Sequence, residues 1–170
     1  MRNFVLRFGI LGGCVSIVLG LTNWFFVAQR FGADASSVVG YLSIVIALMC
    51  VPLGIKYFRD KLNEGSVSFG ESFKIGLGIT LINSIVNFFY SAIFFVIQGE
   101  AFQEWREQTM TPAQLEELRT QMAGMPDFAA TPWFQAFIVA VIIFLIGTII
   151  NLVSSLALRR TAGSSQHESA

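Results

Sequence analysis

The feature that most constrains this sequence is a set of four long runs without any charged residue or histidine. They cover residues 8–28, 38–55, 75–97 and 133–158 and are 21, 18, 23 and 26 residues long. At a rise of about 1.5 Å per residue, roughly 20 apolar residues cross a hydrocarbon layer of about 30 Å. The runs also lack the polar alternation of a membrane barrel strand. The sequence therefore predicts an all-α fold, an integral membrane bundle of four transmembrane helices.

The composition excludes several other classes of protein. Hydrophobic residues make up 54% and charged residues 13% of the 170 residues, whereas a soluble domain has about 25% charged residues. A disordered chain, a nucleic-acid-binding protein and an ordinary cytosolic enzyme are therefore excluded. The length allows one domain, which we place at residues 1–160. Residues 161–170 are rich in small polar residues and are predicted to be a disordered cytoplasmic tail.

The charged residues between the runs divide by sign. The two termini and the connection at residues 56–74 hold eight basic and four acidic residues, while residues 29–37 and the outer loop at residues 98–132 hold three and seven. Because Lys and Arg beside membrane spans are retained in the cytoplasm, both termini are predicted to be cytoplasmic. The basic residues of the cytoplasmic set are Arg2, Arg7, Lys56, Arg59, Lys61, Lys74, Arg159 and Arg160.

Two helix starts lie outside the apolar runs. Ser68 with Glu71 is a capping-box pattern, so the third helix is expected to begin about two turns before its apolar run. In the outer loop, Thr111 and Pro112 match a helix start, and Gly124 matches the end. A short amphipathic helix is therefore predicted there, with an apolar face formed by Leu115, Leu118 and Met122.

The outer loop also contains an acidic row. Glu100, Glu104 and Glu107 share one helical face, which is either a metal-binding cluster or a solvated face that continues the third helix outward. We expect the solvated face, since no histidine accompanies these carboxylates.

Chemistry typical of an enzyme is missing from the apolar runs. Proton relays and intramembrane proteases need ionisable groups at membrane depth, and none is present there. The single histidine, His167, lies in the tail, so a Ser or Cys nucleophile has no histidine base nearby. No nucleotide-binding glycine motif and no C-x-x-C pair occurs. The sequence predicts no enzyme, no cofactor and no metal site.

Neutral polar residues form a stripe on the third run, since steps of three and four return to one helical face. One interpretation is an interhelical hydrogen-bond seam, and the other is the lining of a pore or a polar ligand site. We expect the seam, with Asn151, Thr148 and Ser154 on the fourth run and Asn23 on the first run as partners. The candidate residues are Thr80, Asn83, Ser84, Asn87, Ser91 and Asn151.

The first run carries two rows of small residues. Such rows allow two helix backbones to approach closely in lipid. These rows face either another span of this chain, which we expect, or a second copy of the protein. The expected partners of the chain are the lipid bilayer and either a second copy or another membrane protein. The candidate packing residues are Gly9 and Gly13 in one row, and Gly12, Ser16 and Gly20 in the other.

The connection between the second and third runs carries a recognisable pattern. It contains Gly54, the pair Arg59-Asp60, and the run Ser68-Phe69-Gly70-Glu71 followed by Phe73-Lys74-Ile75-Gly76. This pattern resembles the bacterial four-span membrane family catalogued as domain of unknown function 4199, over residues 1 to about 160. The resemblance implies the fold and a location in the bacterial inner membrane, and it implies no activity.

Two functions remain open after these exclusions. The absence of site chemistry favours a non-enzymatic structural or accessory membrane component. A small passive transporter or channel component is the alternative, in which the stripe on the third run lines the path.

Overall fold

The computed structural model of the protein describes residues 2–124 and 126–160. These residues form six α-helices and no strand, which confirms the all-α prediction; an isolated bridge pairs Val67 with Arg160. The predicted disorder of residues 161–170 concerns a segment outside the described residues. The helices are α1 (Arg2–Thr22), α2 (Gln29–Leu48), α3 (Cys50–Tyr57), α4 (Phe69–Thr109), α5 (Pro112–Ala123) and α6 (Pro132–Leu158).

Three helical stretches of the described residues are long and apolar enough to cross a membrane: Asn3–Leu62, Phe69–Thr109 and Pro132–Leu158. The first contains 60 residues and would be about 90 Å long as a straight rod. Instead it folds back on itself, which brings Phe4 and Phe58 together with their ring centroids 5.6 Å apart.

The reversal occurs at Gly32. Its φ of 78° lies in the left-handed region that glycine adopts without steric cost. The first stretch is therefore a hairpin with a first arm (residues 2–31) and a second arm (residues 33–62). The tight outer connection predicted at residues 29–37 is reduced to a break at Gly32, since every other residue in it continues a helix.

Three irregular points interrupt the hairpin arms. A π-helical turn, Asn23–Ala28, joins α1 to α2, and a second one, Phe58–Leu62, follows α3. The second arm is also interrupted at Met49, between α2 and α3. Pro52 lies in the next turn and has no N–H to donate to the carbonyl of Leu48, which loosens the helix at this point.

Helix α4 begins where the capping box predicts. Ser68 Oγ accepts a hydrogen bond from the Glu71 N–H at 3.3 Å, and the Ser68 N–H donates to Glu71 Oε2 at 3.1 Å. With 41 residues the helix is about 60 Å long and extends beyond its apolar run. Its last turns carry Glu100, Glu104 and Glu107, all exposed as expected of a solvated face.

The outer helix is also present at its predicted start. The Thr111 N–H donates to Gln114 Oε1 at 2.9 Å and the Gln114 N–H donates to Thr111 Oγ1 at 3.3 Å. Leu115 and Leu118 are half-buried, whereas the predicted third apolar residue, Met122, has a side chain outside the described part. Helix α5 makes little contact with the remaining helices.

Helix α4 lies at the centre of the bundle, between α1 and α6. Around it a core forms at the end where the chain begins, and its buried residues are Phe4, Leu48, Val51, Ile55, Phe58, Val67, Ile75, Ile79 and Ile143. The exterior is also rich in large apolar side chains: Phe31 and Ile97, for example, are each 69% exposed. An apolar surface of this extent is typical of a membrane-embedded protein.

Candidate functional site

The candidate polar residues of α4 all lie in the interior of the bundle. Thr80 and Asn83 are fully buried, and Ser84, Asn87 and Ser91 are each less than a tenth exposed. Asn151 on α6 is also fully buried. The structure thus places all six candidate residues inside, and we call them the polar seam.

Asn83 and Asn87 bond to each other along their own helix. Asn87 Nδ2 donates to Asn83 Oδ1 at 2.7 Å and to the Asn83 carbonyl at 2.9 Å. The two amides therefore form a local pair on α4, in place of the expected bonds to a neighbouring helix.

Asn151 joins α6 to α4. Its Nδ2 donates to the backbone carbonyl of Phe73 at 2.9 Å, and its Oδ1 accepts from Ser155 Oγ at 3.2 Å. Gly76 makes this approach possible, because a Cβ atom added there would collide with Asn151 Oδ1 and lie 2.5 Å from Asn151 Cγ. The absence of a side chain at Gly76 thus lets the Asn151 amide reach the backbone of α4.

The other expected partners bond elsewhere. Thr148 Oγ1 donates to the Phe144 carbonyl in its own helix at 2.8 Å. Asn23 Nδ2 donates to the Ser36 carbonyl at 3.0 Å and so joins the two arms of the hairpin. Both side chains thus bond to acceptors nearer in the sequence than the seam residues of α4, because nearby backbone carbonyls compete with tertiary partners.

Three polar atoms of the seam have no hydrogen-bond partner among the described residues: Thr80 Oγ1, Asn83 Nδ2 and Ser84 Oγ. They lie within two turns of α4. Close packing surrounds two of them, since a Cβ at Gly12 would be 2.5 Å from Asn83 Nδ2 and one at Gly147 would be 3.1 Å from Thr80 Oγ1. Glycine backbones therefore fill the space beside these groups.

The small residues of the first run lie against α4 of the same chain. A Cβ at Gly9 would be 2.6 Å from Ile82 Cβ, and one at Gly13 would be 2.5 Å from Val86 Cγ1. Gly20 faces the Tyr90 hydroxyl in the same way at 3.2 Å. Gly12 faces Asn83, and Ser16 is buried. Both rows thus face an intrachain neighbour.

A family model described as "Protein of unknown function (DUF4199)" matches residues 7–160. The chain belongs to this family. No curated protein and no solved structure matches the chain. The DUF4199 match covers both arms of the hairpin, α4, α5 and α6, and therefore the whole polar seam. The family description adds no activity to this geometry.

Within the DUF4199 region, sequence reasoning missed three small residues at the contacts between helices. Gly147 faces Thr80, Gly54 faces Ile79, and Ser155 bonds to Asn151. The signal was available for α6, where Gly147, Asn151 and Ser155 recur every four residues and so share a face. The acceptor of Asn151, the Phe73 carbonyl, carries no signal in the sequence because every residue has a carbonyl.

The acidic end of the molecule, formed by the Gly32 hairpin and residues 98–132, carries an aromatic cluster. Trp24 packs on Phe94, Phe102 and Trp105 with centroids 5.5 to 5.7 Å apart. Trp105 Nε1 donates to the Ala28 carbonyl at 3.0 Å, which ties α4 to the hairpin.

Arg106 lies beside this cluster, with its guanidinium carbon 5.6 Å from the centroid of Phe102. Partial burial lowers the pKa of Arg106. A cavity of about 680 Å³ opens next to it, lined by Glu100, Glu104 and Glu107 among others. In the described part of the chain, no group of three or more His, Cys, Asp or Glu is placed to hold a metal ion.

Proposed function

We propose that this DUF4199 protein is a multi-pass component of the bacterial inner membrane with a structural or accessory role and no enzymatic activity. In this proposal the two hairpin arms, α4 and α6 each cross the bilayer, and both termini are cytoplasmic. Its partners are the lipid bilayer and either a second copy or another membrane protein.

The observation that carries this proposal is the burial of the polar seam against helix backbones. Thr80, Asn83 and Asn151 are fully buried, and glycine backbones lie against each of them. A permeation path needs polar groups that face a continuous aqueous space at membrane depth. Side chains buried against helix backbones support packing instead, because small residues and buried amides hold helices together in lipid.

The charge distribution supports the orientation. The hairpin turn and the loop at residues 98–132 hold seven acidic and three basic residues, and the opposite end holds the basic excess. Hydrogen bonds hold together the segments that form each end. Trp105 bonds to Ala28 at the acidic end, and Val67 bonds to Arg160 at the basic end. The fold therefore separates the two signs along its long axis, as the retention of basic residues in the cytoplasm requires.

One observation favours the alternative of a passive transporter for neutral solutes. Thr80 Oγ1, Asn83 Nδ2 and Ser84 Oγ lack partners among the described residues, and buried polar groups without a partner are rare in native proteins. A second, more open arrangement of α4 would bring these three groups into contact with solvent or solute.

The double variant Asn83→Leu/Asn87→Leu separates the two functions. Purified protein is reconstituted in liposomes, and the flux of glycerol and urea is followed by stopped-flow swelling. We expect wild-type liposomes to swell no faster than protein-free ones. The variant should change the free energy of unfolding in detergent by no more than about 1 to 2 kcal/mol, because hydrogen bonds in membranes are individually weak.

Ile85→Leu/Phe89→Leu is the matched control, since both positions lie on the same helix and are exposed to the exterior. Wild-type swelling above the protein-free rate, abolished in the asparagine variant at unchanged stability and retained in the control, would replace the structural role with the transporter role.

A further inference from the structure

The basic end of the molecule gathers cations from three separate segments. We define it by Lys56, Arg59, Lys61, Lys74, Arg159 and Arg160. Arg160 is fixed beside the connection before α4, because its N–H donates to the Val67 carbonyl and its carbonyl accepts from the Val67 N–H, both at 2.9 Å. Arg59 Nη1 reaches the Leu158 carbonyl at 3.5 Å. The end of α6 is thereby held against the end of the second arm.

Two of the carboxylates in this region are already occupied, and a third, Glu64, is exposed in the turn after Leu62. Asp60 is hydrogen-bonded to Arg59 Nε at 2.6 Å, and Glu71 is held by Ser68 in the capping box. The bond from Arg59 is the largest cause that lowers the pKa of Asp60, and the charges of Arg59, Lys56 and Arg160 lower it further. Asp60 therefore remains ionised, but its hydrogen-bonding oxygens are taken by Arg59.

Five cations of the basic end remain exposed. Among the described residues of this end, Arg59 forms an ion pair with Asp60. The exposed cations without such a pair are Lys56, Lys61, Lys74, Arg159 and Arg160. A basic residue that acts only in topology has to lie on the correct side of the membrane; it does not have to be held next to basic residues from other segments.

Apolar side chains accompany these cations. Leu62 is 51% exposed and Phe69 is 37% exposed, and Phe69 stacks on Phe73 with centroids 5.8 Å apart. A surface that combines exposed rings with Lys and Arg matches the boundary between lipid headgroups and acyl chains.

We propose that the basic end is a binding surface for anionic phospholipids, with Lys56, Arg159 and Arg160 contacting the headgroup phosphate. Basic groups gathered between helix ends on one side of a membrane recognise anionic headgroups. The surplus of unpaired cations selects a negatively charged lipid over a zwitterionic one, and the adjoining apolar side chains favour a lipid of either kind. This binding is independent of the role proposed for the polar seam, since it uses none of its residues.

Native mass spectrometry of the detergent-solubilised full chain tests the proposal. Equal amounts of phosphatidylglycerol and phosphatidylcholine with matched acyl chains compete for the protein, and the ratio of the two lipid adducts is measured. We expect at least about a fivefold preference for phosphatidylglycerol, since one basic residue near an anionic surface contributes about 1 kcal/mol. The measurement is made in micelles, so it does not depend on the orientation of a variant in the cell.

The variant Lys56→Gln/Arg159→Gln/Arg160→Gln should lose the preference, while Arg30→Gln/Arg119→Gln at the acidic end should keep it. The wild-type protein provides a second measurement that needs no variant: the preference should shrink at high ammonium acetate concentration because salt screens exposed charges. Equal binding of the two lipids to the wild type, a preference insensitive to salt, or an equal loss in both variants would each overturn the proposal.

Discussion

Replacing Gly76 by Ala tests whether the contact between α4 and α6 depends on a missing side chain. The new Cβ would collide with Asn151 Oδ1 and lie 2.5 Å from Asn151 Cγ. The amide must then leave its position, which breaks its 2.9 Å bond to the Phe73 carbonyl, or the two helices must move apart.

Three contributions determine how much the free energy of unfolding changes in Gly76→Ala. Overpacking a filled interior costs about 1 to 3 kcal/mol, and an interhelical hydrogen bond in a membrane contributes about 0.6 kcal/mol. Against this, Ala is a better helix former than Gly by about 1 kcal/mol. The control Gly99→Ala cancels this last contribution, since Gly99 lies in the same helix and an added Cβ meets no atom within 4 Å.

We therefore expect Gly76→Ala to be less stable than Gly99→Ala by about 1.5 to 3.5 kcal/mol. The assay is equilibrium unfolding in mixed micelles of a mild detergent and dodecyl sulfate, followed by circular dichroism. A second test is the double variant Gly76→Ala/Asn151→Ala. Removing the amide should cost less in the Gly76→Ala background than in the wild type, because the collision is relieved. Equal stability of the two single variants would refute the reasoning, as would strict additivity in the double variant.

Two further predictions concern topology and helix capping. In a chain whose own cysteines are replaced, Glu116→Cys should react with a membrane-impermeant thiol reagent added to intact cells, and Leu62→Cys should not; the reverse pattern would invert the orientation. Ser68→Ala should destabilise α4 by about 1 kcal/mol through the lost cap, measured by thermal unfolding in detergent. Hydrogen bonds from Ser68 lower the pKa of Glu71. The loss of stability in Ser68→Ala relative to the wild type should therefore be largest above the ordinary carboxyl pKa and shrink as the pH falls through the lowered pKa. A loss of stability that grows in acid would contradict this assignment.

Features that depend on neighbouring residues could be predicted from the sequence. The apolar runs located the helices because in lipid every backbone group must be bonded within its own segment. The starts of α4 and α5 followed from Ser68 with Glu71 and from Thr111 with Gln114, whose bonds span three residues. Local chemistry of this kind does not depend on how the helices are arranged.

Features that depend on how the helices meet were not accessible in the same way. Asn151 could be recognised as a buried amide, but its acceptor lies 78 residues away on the Phe73 backbone. The pairing of Asn83 with Asn87 replaced the expected interhelical bonds, because an acceptor one turn away is always within reach. The reversal at Gly32 lies within the connection predicted at residues 29–37, whereas the continuation of helix on both sides of the glycine had no signal in the sequence.

The hairpin at Gly32 bears on how the protein reaches its folded state. In the four-span arrangement proposed above, a single residue separates the two arms, so we expect them to enter the bilayer as a pair. The glycine rows of the first arm find their partner, α4, only after the ribosome has made the following segment. Until then Gly9 and Gly13 lack the side chains of Ile82 and Val86 that cover them in the folded protein, and we expect assembly of the bundle to be completed when α4 packs on them.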